Sequence, residues 1–81
     1  HGTLAAGESV SSCFMLMYLL ERSCTMQVRA MSSGKLRLPS QQAIATSSNQ
    51  GNRLIESEGL HKLAWPALLR MLDRTDVGYR E

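Results

Sequence analysis

Aromatic residues make up 5% of this 81-residue chain: one Phe, one Trp and two Tyr. No Phe, Tyr or Trp falls between residues 19 and 64. A basic surface with interleaved aromatics, on which nucleic-acid bases stack, is therefore missing from the middle of the sequence. Long apolar runs are missing too. The longest covers residues 13–20, eight in all, against about 20 for a helix that crosses a bilayer. No basic segment precedes that run, since the charge before it is Glu8, so the pattern of a secretory signal is not met. Two cysteines do not build a disulfide framework. Cys13 and Cys24 stand eleven positions apart. On one continuous helix that is three turns and roughly 16 Å, too far for a bridge, and both read as small buried apolar side chains. With His1 and His61 at unrelated spacings, the two cysteines match no zinc pattern, and no metal site is expected. No Gly-rich phosphate loop, no GxSxG and no CxxC occurs. No cofactor is expected.

What remains is a small chain with an ordinary apolar share of 43%. Its size is that of a single small domain or a fragment. At this length only roughly 60–65% of the unfolded surface is buried on folding, and small scaffolds commonly depend on a staple or a partner. The first residue is His1 rather than Met, which suggests a processed product or a piece of a longer chain.

Charge is unevenly spread. Residues 1–21 hold two acids and no base, residues 22–53 hold five bases and no acid, and residues 54–81 hold five acids and four bases. Arg outnumbers Lys seven to two. The guanidinium fork suits phosphate and carboxylate, so Arg22, Arg29, Lys35, Arg37 and Arg53 are the candidate phosphate contacts. The net charge of +2 is too small to imply a nucleic-acid partner by itself.

Periodicity points to helices. Residues 1–8 read as a loose end. Val10, Cys13, Met17, Leu20, Cys24 and Met31 recur at spacings of three, four and seven, predicting a helix over about 9–31. Met15, Leu16 and Leu19 add apolar surface round the rest of its cylinder, and a helix apolar on every side is one that several neighbours cover. Residues 32–53 are rich in Ser, Gly and Asn and predict a polar, basic connector, in which Pro39 could open one short helix. In the segment 54–81, a second helix is expected over about 64–75, preceded by a looser turn. Lys62, Pro66, Arg70, Asp73 and Arg74 fall in one arc of about 120°, with Leu60, Ala64, Trp65, Leu68, Met71 and Leu72 opposite. Starting that helix at Ala64 or Trp65 would put Pro66 in its first turn, where proline is tolerated. The expected fold class is all-α: two main helices joined by a long connector, as an αα-hairpin or an incomplete helical bundle.

Candidate chemistry is sparse. Glu58 and His61, three apart, would share a helix face and could in principle stand beside a cysteine, but they read more simply as a surface pair. Residues 16–20, Leu-Met-Tyr-Leu-Leu, fit LxxLL and resemble the helix that nuclear-receptor coactivators lay in a receptor groove. Residues 65–68, Trp-Pro-Ala-Leu, fit the WxxL pattern of autophagy-receptor ligands, which bind as strands. Residues 22–53 resemble a mitochondrial presequence in being Arg- and Ser-rich and acid-free, placed internally. No longer stretch resembles a named family. An intracellular location is expected, with the mitochondrion as the alternative.

Three functions follow. The first is a non-catalytic protein-protein interaction subunit docking through Val10, Cys13, Met17 and Leu20, with Trp65, Leu68 and Leu72 from the second helix. The second is a basic subunit of an RNA-containing or mitochondrial assembly. The third is a fragment of a larger enzyme with its active site elsewhere. Exposed apolar side chains over residues 14–20 would point to another protein chain, or the rest of a parent protein, as their cover.

Overall fold

The computed structural model describes residues 1–56 and 59–81, and within these the chain is all-α. Three helices follow in order: α1 Val10–Ser32, α2 Gln41–Glu56 and α3 Leu60–Thr75, with a closing 3-10 turn over Val77–Arg80.

Helix α1 begins where a serine can cap it. Ser9 is extended (φ −147°, ψ 160°), and its hydroxyl accepts the Ser12 N–H at 3.1 Å. This satisfies one of the backbone donors that a helix start leaves open. The hydroxyls of Ser23 and Thr25 donate to the carbonyls of Leu19 and Glu21, four residues back, so these polar side chains are absorbed by the helix itself. Ser33 closes the end with its N–H on the Ala30 carbonyl, and Gly34 turns the chain away at φ 114°. At 23 residues α1 is about 35 Å long. The first eight residues carry no regular structure, but they are tied back: the Thr3 hydroxyl reaches Met17 Sδ at 3.3 Å and Glu21 at 3.5 Å.

The expected connector is where the fold departs furthest from the sequence reading. Residues 41–56 form a 16-residue helix that runs on through Ser47, Ser48, Asn49, Gly51 and Asn52. Two things offset the weak helix formers. Ser40 supplies the start, its hydroxyl accepting from the Ala43 N–H at 3.2 Å and its carbonyl from the Ile44 N–H at 3.0 Å. Tertiary packing supplies the rest: α2 lies against α3, with Ile55 half-buried beside Leu60 and His61. The long link thus shrinks to residues 33–40.

Helix α3 also starts earlier than expected, at Leu60 rather than Ala64. Pro66 sits at its seventh position, inside the helix. There it removes a backbone donor, a placement that costs about 3 kcal/mol in an unsupported helix. Contacts with α1 hold the helix together across it. Gly59 opens α3 in the left-handed conformation (φ 58°, ψ 58°), and its carbonyl accepts the Lys62 N–H at 2.7 Å. A Cβ at Gly59 would come within 2.8 Å of the Lys62 side chain. Asp76 ends the helix as expected, its N–H on the Leu72 carbonyl and its carboxylate accepting from Gly78.

Helices α1 and α3 make the main packing contact, yet no apolar side chain among the described residues is fully buried. The radius of gyration is 16.1 Å, where a compact chain of this length would have roughly 12 Å. The accessible surface is 7159 Å², against roughly 4,900 Å² for a self-contained globule of 9.0 kDa.

Candidate functional site

The ring of Phe14 on α1 meets the ring of Trp65 on α3 edge to face, with centroids 5.5 Å apart and planes at 62°. This is a favoured aromatic geometry, and it pins the two helices together. Beside it runs a groove of about 440 Å³, lined by Phe14, Met15, Tyr18, Ala64, Ala67, Leu68 and Met71. Not one of these carries a charge. Phe14, Tyr18 and Met71 remain 44–47% exposed. The helical period explains the lining: positions 14 and 18 on α1, and 64, 67, 68 and 71 on α3, each form a single stripe. Arg22, one turn beyond Tyr18, lies over its ring at 5.3 Å, so cationic and aromatic character meet at that end.

Of the residues expected to dock, Cys13, Met17, Trp65, Leu68 and Leu72 are half-buried, whereas Val10 and Leu20 are exposed at 74% and 39%. Trp65 and Leu68 come together with α1. Met17 lies under Thr3 of the N-terminal arm. From α1 the groove takes Phe14 and Tyr18, which lie outside the stripe expected to dock, and α3 contributes Ala67 and Met71 beside the expected Leu68. Their signal was present as two short stripes at helical spacing. The longer stripe on the same helix outweighed it, because α1 is apolar on more than one side. Leu16, Leu19 and Leu20 of the LxxLL pattern all lie on α1, and Trp65 and Leu68 of the WxxL pattern lie within α3.

The basic residues are spread over three places: Arg22 and Arg29 on α1, Lys35 and Arg37 in the link, and Arg53 in the last turn of α2. All five are exposed. The cysteines depart from expectation in part. Both are free thiols, Cys13 half-buried with its thiol 3.8 Å from the Gly7 carbonyl, but Cys24 exposed rather than packed.

A second cavity, of about 730 Å³, lies at the start of α1, between Glu8, Ser9, Ser12, Ile55 and His61. His61 thus faces the N-terminal arm. Glu58, its suggested partner, lies outside the described residues. At the other end of α3, Asp73 is the centre of a polar cluster. The Tyr79 hydroxyl donates to its Oδ1 at 2.8 Å, the Arg80 guanidinium binds the same oxygen, and Arg80 lies 5.5 Å over the Tyr79 ring. The Tyr79 hydrogen bond, aided by Arg80 and opposed by partial desolvation, holds the Asp73 carboxyl below its ordinary pKa. Among the described residues no helix is long and apolar enough to cross a membrane, and no group of three His, Cys, Asp or Glu is placed to share a metal ion.

Comparison with known proteins gives two matches of the same kind. A protein of Pseudomonas aeruginosa and one of Caulobacter vibrioides, each carrying the provisional name aldolase class 2 protein, are both 37% identical to this chain, over 84 and 86 aligned positions. Each alignment takes in all of this chain and 32% of the relative. No protein-family model matches the chain, and no solved structure does. These matches correct the leading expectation. A non-catalytic interaction subunit gives way, because both relatives are named for an enzyme and are about three times as long. The RNA-associated basic subunit gains no support from them, whereas the enzyme-fragment expectation agrees with them. From end to end, then, this chain is similar to about one third of two proteins named as class 2 aldolases.

Proposed function

We propose that the chain is a helical part of a larger enzyme that makes or breaks a carbon–carbon bond beside a carbonyl group. The observation that carries this reading is the match itself, 37% identity over the whole chain in two bacterial proteins. The physical state of the chain agrees with it. Residues 1–81 expose about 2,300 Å² more surface than a free-standing globule of their mass, and their longest helix is apolar on several sides. In this reading Trp65, Leu68 and Leu72 hold α3 to α1. Val10, Cys13, Met17 and Leu20 give α1 further apolar surface for the enzyme around it. Arg22, Arg29, Lys35, Arg37 and Arg53 are exposed basic residues distributed over α1, the link and α2, with phosphate as the anion they would suit. The active site lies elsewhere in the enzyme, which supplies the stabilisation that the developing enolate charge requires.

The test is an activity assay on the protein produced from its complete reading frame. It would be incubated with a panel of β-hydroxy aldehydes, ketones and acids, and carbonyl release followed by hydrazine trapping. Cleavage of at least one member is expected. A folded full-length protein that cleaves none of them, and condenses none of the corresponding products in reverse, would refute the proposal.

A further inference from the structure

The groove between α1 and α3 is a formed concave surface without a charged side chain. Phe14 and Tyr18 rise on one wall and Ala67 and Met71 on the other. Such a surface is costly to leave in water, since each square ångström of exposed apolar area is unfavourable by about 25 cal/mol. Among the described residues the neighbouring elements are engaged elsewhere: α2 packs on α3, the N-terminal arm is held by Met17 and Glu21, and the C-terminal turn is held on Asp73. Over the whole chain the exposed surface exceeds that of a self-contained globule by roughly 2,300 Å², and the groove is one apolar part of it.

Two occupants could fill the groove, a second copy or protein from the same enzyme. In both relatives the matching stretch is joined to about twice its own length of further chain. A tethered segment docks at an effective concentration in the millimolar range, so it outcompetes an untethered copy of similar contact quality. We infer that the α1–α3 groove seats an apolar segment of the same polypeptide from outside residues 1–81, and that α1 is thereby an interior helix of the complete enzyme. This rests on the reading of the chain as part of a larger enzyme.

The test uses the protein from the complete reading frame and thiol labelling with N-ethylmaleimide, resolved site by site by peptide mass mapping. Met71→Cys and Ala67→Cys report on the groove, and Arg70→Cys, on the polar side of α3, is the reference. Rates are normalised to those in denaturant. The two groove sites are expected to react at least tenfold more slowly than the reference, at every protein concentration. Equal rates would overturn the inference. So would protection that vanishes on dilution as light scattering shows the particle halving in mass, because the occupant would then be a second copy. If Met71→Cys prevents folding, Ala67→Cys, which adds one sulfur atom, still decides the matter. Labelling needs no substrate, so the two proposals fail separately. Protection without carbon–carbon cleavage removes the aldolase reading alone, and cleavage without protection removes the groove assignment alone.

Discussion

Replacing Ser40 with alanine should loosen α2 more than its surface position suggests. The hydroxyl of Ser40 accepts the Ala43 N–H at 3.2 Å, and loss of such a cap costs about 1 kcal/mol. The body of α2 has little margin to absorb this. Thr46, Ser47, Ser48, Asn49, Gly51 and Asn52 together lie roughly 4 kcal/mol above an all-alanine helix on intrinsic propensity. The helix therefore depends on its cap and on the packing of Ile55 beside α1 and α3. A loss of about 1 kcal/mol multiplies the open fraction about fivefold. Native-state hydrogen exchange, read where reclosing is fast relative to intrinsic exchange so that rates follow the opening equilibrium, should show the amides of residues 44–48 speeding up by that factor, while those in the middle of α1 stay unchanged. Ser40→Asp should restore slow exchange, because its carboxylate accepts the same N–H and suits the positive end of the helix. Unchanged exchange in Ser40→Ala would show that packing alone holds α2 and would refute the argument. Equally fast exchange in Ser40→Asp would do the same.

Three further outcomes are expected. In a double-mutant cycle with Phe14→Ala and Trp65→Ala, denaturant unfolding should give a coupling of about 1 kcal/mol, the worth of an edge-to-face pair; additive losses would mean that the rings meet without mutual stabilisation. Gly59→Ala should destabilise by about 1–2 kcal/mol through left-handed strain, and adding Lys62→Ala should return only a part, because it relieves the 2.8 Å approach but not the backbone. The third outcome concerns Asp73. Its carboxyl is held below its ordinary pKa in the folded state, so its stabilising contribution is present above the ordinary value and is lost as pH falls through the folded one. Tyr79→Phe removes the largest cause, and a carbon-13 NMR titration of Asp73 should then move upward toward the ordinary aspartate range; a titration that does not move would assign the shift to Arg80 instead.

The helical class and two of the three helices were legible in the linear order of residues. In α1 the recurrence of Val10, Cys13, Met17 and Leu20 marks the cylinder, and Ser9 marks its start. Asp76 marks the end of α3. These are local effects, since a cap or a stripe is decided within a turn or two. The quantity of apolar surface on α1 was legible too, and it raised the expectation that other protein covers the helix. Helix α2 was not legible, because its serines, asparagines and glycine favour turns when taken alone. Only the cap at Ser40 and the packing around Ile55 tip the balance. The passage of α3 through Pro66 was hidden for the same reason, as contacts with α1 offset a penalty that is prohibitive in isolation.

Local order therefore settled that the chain is helical and apolar beyond its own needs. Which residues of α1 meet α3 is another matter. The sequence offers the stripe of Val10 and Leu20 and the stripe of Phe14 and Tyr18 on nearly equal terms, since both satisfy the helical period. The choice depends on the angle at which α3 crosses and on Trp65 meeting Phe14, and a crossing angle is a property of two packed helices rather than of either one.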